Sequence, residues 1–418
     1  MLKIVYPICC GIDVHKKFVV ATVGTTNKSG VTSYQTKRFS TFTEDLQHLL
    51  EWLKSQSCIN VCMESTGKYW IPVFNILEDY CDIVVANPKY VKGIRGKKTD
   101  KKDSIWLCDL HKHGLVPGSF IPPLAIRQIR DLMRYRYKLI NFKSSEKNRI
   151  QNSLTVSNIM ISSVVSDTFG VSSMKIINHI LQNPEDKYFD VTPMLHKSMK
   201  DKAEAITKSI NGNLTKPQAE KMRICFNHFD DIETNIADLE CVILDLAKPF
   251  MSQIKLIMSL PSIKNIFTAI AIIGEIGIDM SVFHSSKHLC SWAGLTPQNN
   301  ESAGKKKSVR VSRAGVYIKP LLVQCANAVI KNKDFDYFRI RYQQIKKRRG
   351  HKKAIIAIAH MLLNCIYHML EKNEPFNYDL YKIDSKPKQT YAPQITEEMA
   401  VCYLQTLGYQ IPDMPSSA

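Results

Sequence analysis

Two apolar runs that each end at an acid decide the fold of this chain. The first is Ile4-Val5-Tyr6-Pro7-Ile8, which continues through Gly11-Ile12-Asp13, and the second is Ile59-Asn60-Val61-Cys62-Met63-Glu64. Short apolar runs rich in β-branched residues predict buried strands. A carboxylate at the end of a buried strand is unfavourable unless a positive charge lies beside it. The runs therefore predict two buried strands that each present an acid to a cation.

A second pair of acids, Asp100 and Asp103, opens a helical pattern with a spacing that lets both side chains share one face. Hard divalent cations such as Mg²⁺ or Mn²⁺ prefer carboxylate oxygens, and two-metal sites cut and join phosphodiesters. Each acid alone also fits a solvated strand end or an acidic first helical turn. The ordered set of four favours a nuclease or transferase acting on nucleic acid.

The charge of the chain indicates the same kind of partner. It holds 57 lysine and arginine residues against 38 acidic ones, a formal net charge of +19. Residues 301–353 hold 16 of the basic residues and three acidic ones, a net charge of +13. Basic runs are often solvated faces, but this concentration favours a surface that contacts phosphates, with salt-dependent binding.

Length and composition bound the class of protein. A chain of 418 residues, 44% of them hydrophobic, predicts two to four domains with packed cores. The apolar run at the N-terminus is too short for a secretory signal. Polar residues interrupt the longest apolar stretch, 354–370, which predicts a core helix and no membrane span. Cysteines scattered through apolar contexts are typical of reduced thiols in a cytoplasm.

The N-terminal region alternates strands with helices, which predicts a mixed α/β sheet flanked by helices over residues 1–118. After the first strand we expect a meander, a helix, the strand that ends at Glu64, an aromatic-bearing helix and a further buried strand. The segments other than the Glu64 strand are Val19–Val23, Ser33–Phe39, Phe42–Gln56, Tyr69–Tyr80 and Ile83–Ala86.

Helical periodicity dominates the rest of the chain. A long helix begins after Pro122-Pro123, as expected of a helix that reaches a partner subunit, follows a nucleic-acid duplex or spaces two domains. We expect a helical, coiled-coil region over residues 119–250 with a variable insertion at about 165–215. An all-α domain then follows over residues 251–373, and residues 374–418 form a C-terminal tail.

A basic, turn-rich loop after Gly294-Leu295-Thr296-Pro297 carries the second reactive candidate, Ser302. Small residues and then three lysines follow Ser302, so a phosphate can approach the backbone closely and lysines can stabilise negative charge. The pattern fits a serine nucleophile towards phosphorus, but the residues alone favour a flexible phosphate-contacting loop. Ser308 and Ser312 are the nearby rivals.

These motifs resemble the DEDD transposases of the insertion-sequence "one-ten" family. The N-terminal resemblance rests on Gly11–Lys16, Met63–Gly67 and Lys98–Asp103. The C-terminal one rests on Gly294–Pro297 with Asn300–Lys305, and on Ser312–Gly315. Together the two similar stretches cover roughly residues 5–160 and 250–372. Neither the insertion between them nor the tail is covered.

The resemblance implies a RuvC-like, RNase H-like first domain, a coiled-coil linker and a helical domain that carries a serine. It implies that Asp13, Glu64, Asp100 and Asp103 hold Mg²⁺ or Mn²⁺ and that Ser302 is the nucleophile. It also implies a recombinase in the bacterial cytoplasm, associated with the nucleoid. Such a recombinase acts on the element ends and target DNA, is guided by a structured bridge RNA, and works as a homodimer or homotetramer.

We expect nucleic-acid backbones to lie against two basic surfaces, one before Asp100 and one in the C-terminal domain. Tyr69 and Trp70 can stack on bases, although burial in the core is the favoured prediction for both. The alternatives are a metal-dependent endonuclease of branched DNA without serine chemistry and an inactive nucleic-acid-binding derivative. The predicted contacts are Lys89, Lys92, Arg95, Lys97, Lys98, Lys305, Lys306, Lys307, Arg310, Arg313, Lys346, Lys347, Arg348 and Arg349.

Overall fold

The computed structural model of the chain describes residues 2–91, 99–186, 189–261, 263–297, 300–302, 305–308 and 310–381. These residues form two compact units. The first takes the described residues up to 251 together with residues 270–282, and the second takes residues 252–269 and those from 283 onward.

A five-stranded mixed sheet forms the centre of the N-terminal part. Its strands follow the order β3-β2-β1-β4-β5, in which β2 is antiparallel to both of its neighbours and β1, β4 and β5 are parallel. The meander, the two acid-ended strands and the following strand are all present, so the predicted mixed sheet is confirmed. The strands are β1 (Ile8–Val14), β2 (Phe18–Thr26), β3 (Thr32–Ser40), β4 (Asn60–Glu64) and β5 (Asp82–Ala86).

One face of this sheet carries the main apolar core. Alternate residues of β1, including Ile12 and Val14, pack there against helices α1 (Thr43–Ser55) and α2 (Trp70–Leu77). Helix α1 contributes Leu49 and Leu53, which its 3.6-residue period places on one side. The predicted helices at 42–56 and 69–80 are therefore present with slightly shorter bounds.

Helix α4 (Asp100–Lys112) covers the opposite face, after the short helix α3 (Pro88–Val91). A Cβ built at Gly11 of β1 would lie 2.3 Å from both the Cys108 nitrogen and the Ser104 oxygen, so the two backbones meet there. Only a residue without a side chain allows this approach. Gly11 therefore sets how closely α4 packs on β1.

A buried chain of hydroxyls also ties α4 to the sheet. The Ser104 hydroxyl donates to the Lys101 carbonyl at 3.0 Å, and the Thr22 hydroxyl lies 2.7 Å from the Ser104 hydroxyl. The Thr36 hydroxyl lies 2.9 Å from that of Thr22. Because each hydroxyl has one proton, donation must run from Thr36 through Thr22 and Ser104 to the Lys101 carbonyl. This chain links β3 and β2 to the first turn of α4.

Two long helices, α5 (Leu124–Val156) and α8 (Lys216–Ala247), run antiparallel in the same unit. Pairing of Arg136 with Glu240 at one end and of Glu146 with His228, 2.8 Å apart, nearer the other end sets their direction. Near the C-terminal end of α5, both helices share an apolar core with the segment between them. That segment contains α6 (Val171–Gln182), α7 (Ala203–Ser209) and the 3₁₀ turns Ile161–Ser163, Thr192–Met194 and Lys197–Lys202.

The second unit is mainly helical. After the 3₁₀ turn Lys248–Phe250, helix α9 spans Met251–Met258, and α10 (Ile266–Ile276) runs across the division between the units. The 3₁₀ turn Met280–Val282 ends the segment 270–282, which belongs to the first unit. The remaining elements are α11 (Ser286–Trp292), β6 (Asn300–Ser302), β7 (Lys305–Ser308), α12 (Ile318–Val329), α13 (Tyr337–Arg349), α14 (His351–Lys372) and the 3₁₀ turn Asp379–Tyr381.

Helix α14 is the one helix of the described chain that is long and apolar enough to cross a membrane by length and composition. It contacts α11, α12 and α13, and 61% of its most apolar window is buried inside the protein. Those contacts match the prediction of a core helix at 354–370. The helix provides the core of the second unit.

The start of the predicted C-terminal tail packs onto this unit. Phe376 and Tyr381 lie with ring centroids 5.0 Å apart, and Phe376 also meets the Phe335 ring edge-on at 5.7 Å. Phe376 is 6% exposed, and its backbone N–H donates to the Ser259 hydroxyl at 2.8 Å. Residues 374–381 therefore belong to the second unit, and residues 382–418 lie outside the described chain.

The close approach at Gly11 makes a prediction about stability. Gly11→Ala should lower the free energy of unfolding by about 1–3 kcal/mol, since the added methyl group has to push α4 away from β1. Gly118→Ala is the matched control, because a Cβ there would lie 3.6 Å from Val84 Cγ1, an ordinary contact. Urea unfolding measures both variants, and equal midpoints for the two would contradict the packing argument.

Candidate active site

Asp13 and Glu64 lie at the carboxyl ends of two neighbouring parallel strands. Ile12 pairs with Met63 in the register of β1 and β4, so the next residues along, Asp13 and Glu64, lie side by side at one edge. Alternation places both acids on the face that α4 covers, opposite the face that holds Ile12. Asp13 is 9% exposed and Glu64 is half-buried.

The first turn of α4 brings the other two acids to this edge. Cys108 lies against Cys9 with their sulfur atoms 3.6 Å apart, and Ser104 lies one turn earlier against Gly11. One turn back from Ser104, Asp100 comes within 4.8 Å of Asp13. Asp103, one residue before Ser104, is near enough for its charge to raise the pKa of Asp13 and is not part of the cluster that Asp13 and Asp100 form. The Thr99 hydroxyl accepts from the Lys102 N–H at 3.3 Å and caps the helix at this point.

His15 connects the acids of the two elements, and the sequence interpretation missed it. Its Nε2 lies 3.1 Å from Asp13 Oδ2 and 3.4 Å from Asp100 Oδ1. Ligand atoms of Asp13, His15 and Asp100 all lie within 4.8 Å of one another. A histidine two residues after Asp13 at the start of a turn carries no distinctive pattern, so only the quoted Gly11–Lys16 motif contained a signal for it.

The electrostatics of the site favour a cation. Burial raises the pKa of the Asp13 carboxyl, and the charges of Asp100 and Asp103 raise that pKa further, while the His15 hydrogen bond and charge oppose the shift. The direction of the shift means that the ionised form of Asp13 is unfavourable in the folded chain alone. A bound divalent cation would reverse this balance.

The donor set fits the metal that the sequence predicts. Two carboxylates within ligand distance of each other, with Asp103 near enough to act on Asp13, supply the oxygen atoms that Mg²⁺ and Mn²⁺ prefer. The imidazole of His15 suits Mn²⁺ better than Mg²⁺ as a direct ligand. In the chain as described, His15 instead holds Asp13 and Asp100 together.

Ser302 lies in the second unit at the end of β6, where it pairs with Lys305 of β7 in an antiparallel hairpin. The segment predicted as a loop therefore contains two short strands. That prediction was wrong because a lysine-rich strand lacks the apolar alternation that marks strands. Lys306 pairs with Glu301 in the backbone register, and Ser308 ends the hairpin opposite Asn300.

Two glycines fix the base of this hairpin. A Cβ at Gly315 would lie 2.1 Å from the Ala293 oxygen, and one at Gly294 would lie 2.5 Å from the Ala314 oxygen. The segments before and after the hairpin thus cross in backbone contact, and both glycines have positive φ. The Ser312 carbonyl accepts from the Lys319 ammonium at 2.6 Å, which adds a second tie at the same base.

The predicted nucleic-acid contacts fall into three groups. Arg310, Arg313 and the four residues Lys346 to Arg349 at the end of α13 are exposed. Lys305, Lys306 and Lys307 lie in β7, and Lys89 lies in α3, where the backbone alone is described. Lys92, Arg95, Lys97 and Lys98 lie outside the described residues. Basic residues in the last turn of α13 also interact favourably with the helix dipole. Their exposure alone therefore does not assign them a ligand.

The two aromatic residues after Glu64 have different environments. Trp70 packs on the sheet core and meets Phe74 edge-on with ring centroids 5.7 Å apart. Tyr69 is 44% exposed. The prediction of burial is confirmed for Trp70 and wrong for Tyr69, which is the N-cap residue just before α2.

Comparisons with known proteins match both ends of the chain. A family model described as a transposase matches residues 10–159, which include the four acids and His15. A second model, described as the transposase IS116/IS110/IS902 family, matches residues 254–343, which include Ser302.

Two curated relatives extend these matches. The transposase for insertion sequence element IS1111A of Coxiella burnetii (strain RSA 493 / Nine Mile phase I) is 28% identical over 124 residues, which are 29% of this chain and 33% of that protein. The match thus spans a third of that relative's length. The pilin gene-inverting protein of Moraxella lacunata is 22% identical over 374 residues, 84% of this chain and 94% of that protein.

The raised pKa of Asp13 makes a prediction about the metal-free protein. Asp13→Asn should raise the unfolding temperature at pH 7, because it removes a charge that the fold disfavours. The gain should vanish as the pH falls below about 4, where unfolded aspartate is protonated as well. Differential scanning fluorimetry over this pH range measures both proteins, with exposed Asp79→Asn as control. A gain that persists at acid pH would contradict the electrostatic cause.

Mn²⁺ at about 100 times its Kd should stabilise the unsubstituted chain by about 2.7 kcal/mol and Asp13→Asn far less.

Proposed function

We propose that this chain, which belongs to the IS116/IS110/IS902 family of transposases, cleaves DNA strands and transfers them at the acid site. The observation that carries the proposal is the meeting of Asp13 and Asp100 through His15, with Asp103 acting on Asp13, inside the region that matches a transposase model. We include Glu64 because it lies beside Asp13 in the sheet register, while the cluster of ligand atoms within 4.8 Å of one another contains Asp13, His15 and Asp100 and not Glu64.

An RNase H-like, RuvC-like fold is the finer part of this proposal. Support comes from the strand order β3-β2-β1-β4-β5, with one antiparallel meander and three parallel strands, and from the acids at the carboxyl ends of β1 and β4. Crevices at the carboxyl ends of parallel strands are the usual place for an active site in α/β sheets.

The four acids would hold Mg²⁺ or Mn²⁺, which when bound would supply charge stabilisation for the phosphodiester under attack. Asp13 is held by the sheet, and Asp100 and Asp103 are held by the capped first turn of α4. Their geometry therefore depends on rigid elements rather than on loop positions. His15 keeps the Asp13 and Asp100 side chains oriented towards each other.

Ser302 is proposed as the nucleophile. Its Oγ would form a bond to phosphorus while the bond from phosphorus to one strand's oxygen breaks, and the released oxygen takes the proton that Ser302 loses. A hydroxyl of another strand would then attack the same phosphorus, free the serine and complete the exchange. The lysines of β7, adjacent in the hairpin register, support this role.

Strand exchange rather than plain hydrolysis is favoured by the name of one relative. A pilin gene-inverting protein has to rejoin DNA after cutting it, and its match covers 84% of this chain. The metal-dependent endonuclease of branched DNA, which uses water and no serine, remains the second candidate. An inactive DNA-binding derivative is the third, and the presence of all four acids and of Ser302 counts against it.

The substrates, the guide RNA and the oligomeric state are also proposals. The substrates would be the element ends and target DNA, and the exposed basic residues of the second unit would bind nucleic-acid backbones, including a structured guide RNA. The acids and Ser302 belong to different units of the chain. We therefore propose a homodimer or homotetramer in which the two sets of residues act together, in the bacterial cytoplasm at the nucleoid.

The metal assignment is tested by Asp13→Asn. Cleavage of DNA that carries the element's ends should fall by roughly a thousandfold. A bound cation supplies several kcal/mol of charge stabilisation, and each 1.36 kcal/mol is a factor of ten in rate. Gel-shift affinity for the same DNA should remain salt-dependent and within about twofold. A fully active Asp13→Asn protein would refute the role of the acids.

The serine assignment is tested by trapping a covalent intermediate. Labelled DNA should migrate with the protein on a denaturing gel, and Ser302→Ala should abolish that adduct while leaving metal-induced stabilisation unchanged. Ser308→Ala and Ser312→Ala serve as matched controls in the same segment. An adduct that persists in Ser302→Ala and disappears in one control would move the role to that serine, and no adduct with any protein would favour the hydrolytic endonuclease.

A further inference from the structure

A cavity of about 340 Å³ opens beside the acid site, between β3 and the first turn of α4. Its walls include Arg38, Thr36, Thr99, Lys101 and Asp100, the last of which also belongs to the acid cluster. The volume is roughly ten times that of a water molecule in the liquid, so it admits a phosphate group with its attached oxygens. The cavity therefore adjoins the proposed site of cleavage.

Arg38 is placed in this cavity by an aromatic side chain. Its guanidinium carbon lies 3.7 Å from the centre of the Phe18 ring, and the Phe18 ring lies 4.7 Å from that of His15, the residue that joins Asp13 and Asp100. A guanidinium that stacks on a ring keeps its N–H edge free for two parallel hydrogen bonds to a phosphate.

The second cation, Lys101, is fixed through its backbone. The Lys101 carbonyl accepts from Ser104, which ends the buried hydroxyl chain from Thr36 through Thr22. Among the described residues, neither the Arg38 guanidinium nor the Lys101 ammonium has a hydrogen-bond or carboxylate partner. Arg38 and Lys101 are thus two cations without a carboxylate partner in the described part of the chain, and they border the same cavity as Asp100.

The hydroxyls of the cavity differ in what they can offer. Thr36 uses its proton inward, towards Thr22, so it has only lone pairs left for a ligand. The Thr99 oxygen accepts from the Lys102 N–H, which leaves the Thr99 proton free to donate. Lys37 also borders the cavity, but its ammonium lies 5.2 Å from the Trp52 ring centre, and Trp52 belongs to the core on the opposite face of the sheet.

We propose that this cavity binds a phosphate group of the DNA strand next to the scissile one, through the guanidinium of Arg38, the ammonium of Lys101 and the hydroxyl of Thr99. This contact would fix the position of the strand relative to Asp13 and Asp100. The inference rests on the proposed function, because it takes the substrate of the acid site to be DNA. It adds Arg38, Lys101 and Thr99 to the residues that bind substrate.

The test measures how salt weakens the binding of a fluorescent 20-nucleotide oligothymidylate to the full-length protein in Ca²⁺. Each phosphate contact on a single strand contributes about 0.7 to the slope of log K against log salt. Because both cations contact the same phosphate, Arg38→Gln and Lys101→Gln should each reduce the slope, and the double variant should reduce it by about 0.7. Lys28→Gln, which removes the same charge at the exposed β2–β3 turn, should keep the original slope.

A charge-preserving variant distinguishes a bidentate phosphate contact from a general effect of positive charge. Arg38→Lys should keep the slope but bind about tenfold more weakly, because it keeps the charge and loses the bidentate geometry. Slopes for Arg38→Gln and Lys101→Gln equal to that of Lys28→Gln would overturn the proposal. A reduction of the slope that is seen with oligouridylate and not with oligothymidylate would overturn it as well. Unfolding midpoints of all variants check that each is folded. This binding measurement involves no cleavage. An active Asp13→Asn protein would therefore refute the proposed function without changing what the salt dependence says about the cavity.

Discussion

The backbone contact between Gly11 and helix α4 is the constraint on which the candidate site depends. Because β1 has no side chain at this position, α4 lies close enough for Ser104 and Cys108 to contact the strand. The next turn of the same helix then brings Asp100 level with Asp13. A helix held farther from the sheet would leave those carboxylates too far apart to share an ion. The site is thus a consequence of packing before it is one of chemistry.

The sequence predicts the sheet well because buried strands leave strong local signals, and it singles out four acids, of which the structure brings Asp13 and Asp100 within 4.8 Å of each other. Apolar runs that end at Asp13 and Glu64 mark buried parallel strands, and the Asp100–Asp103 spacing marks a helix start. The role of His15 and the stacking of Arg38 on Phe18 are not predictable in this way. Both depend on contacts across the β1–β2 turn and between strands, and neither has a periodic pattern. The β6–β7 hairpin is hidden for the opposite reason, since its lysine-rich strands look like a loop.

The charges of the first unit are arranged in two neighbouring sets of opposite sign. The acids at the end of β1 and in the first turn of α4 repel one another, as the raised pKa of Asp13 reflects. Arg38 and Lys101 border the adjacent cavity without pairing with those acids. Oppositely charged side chains that lie near one another without neutralising each other are arranged for ligands that carry both signs of charge in one complex, such as a cation on a phosphodiester.

The antiparallel pair α5 and α8 has a consequence for how proteins of this architecture can diverge. Helix α5 has 33 residues and is therefore about 50 Å long. The helical segment between α5 and α8 builds an apolar core at the far end of this pair, to which α5 contributes Ile150 and Leu154 and α8 contributes residues that include Met222 and Phe226. Lengthening, shortening or replacing that tip would leave the root of the hairpin unchanged. The acid site is built from β1, β4 and α4, which contribute no residue to this core, so such changes would not act on it directly.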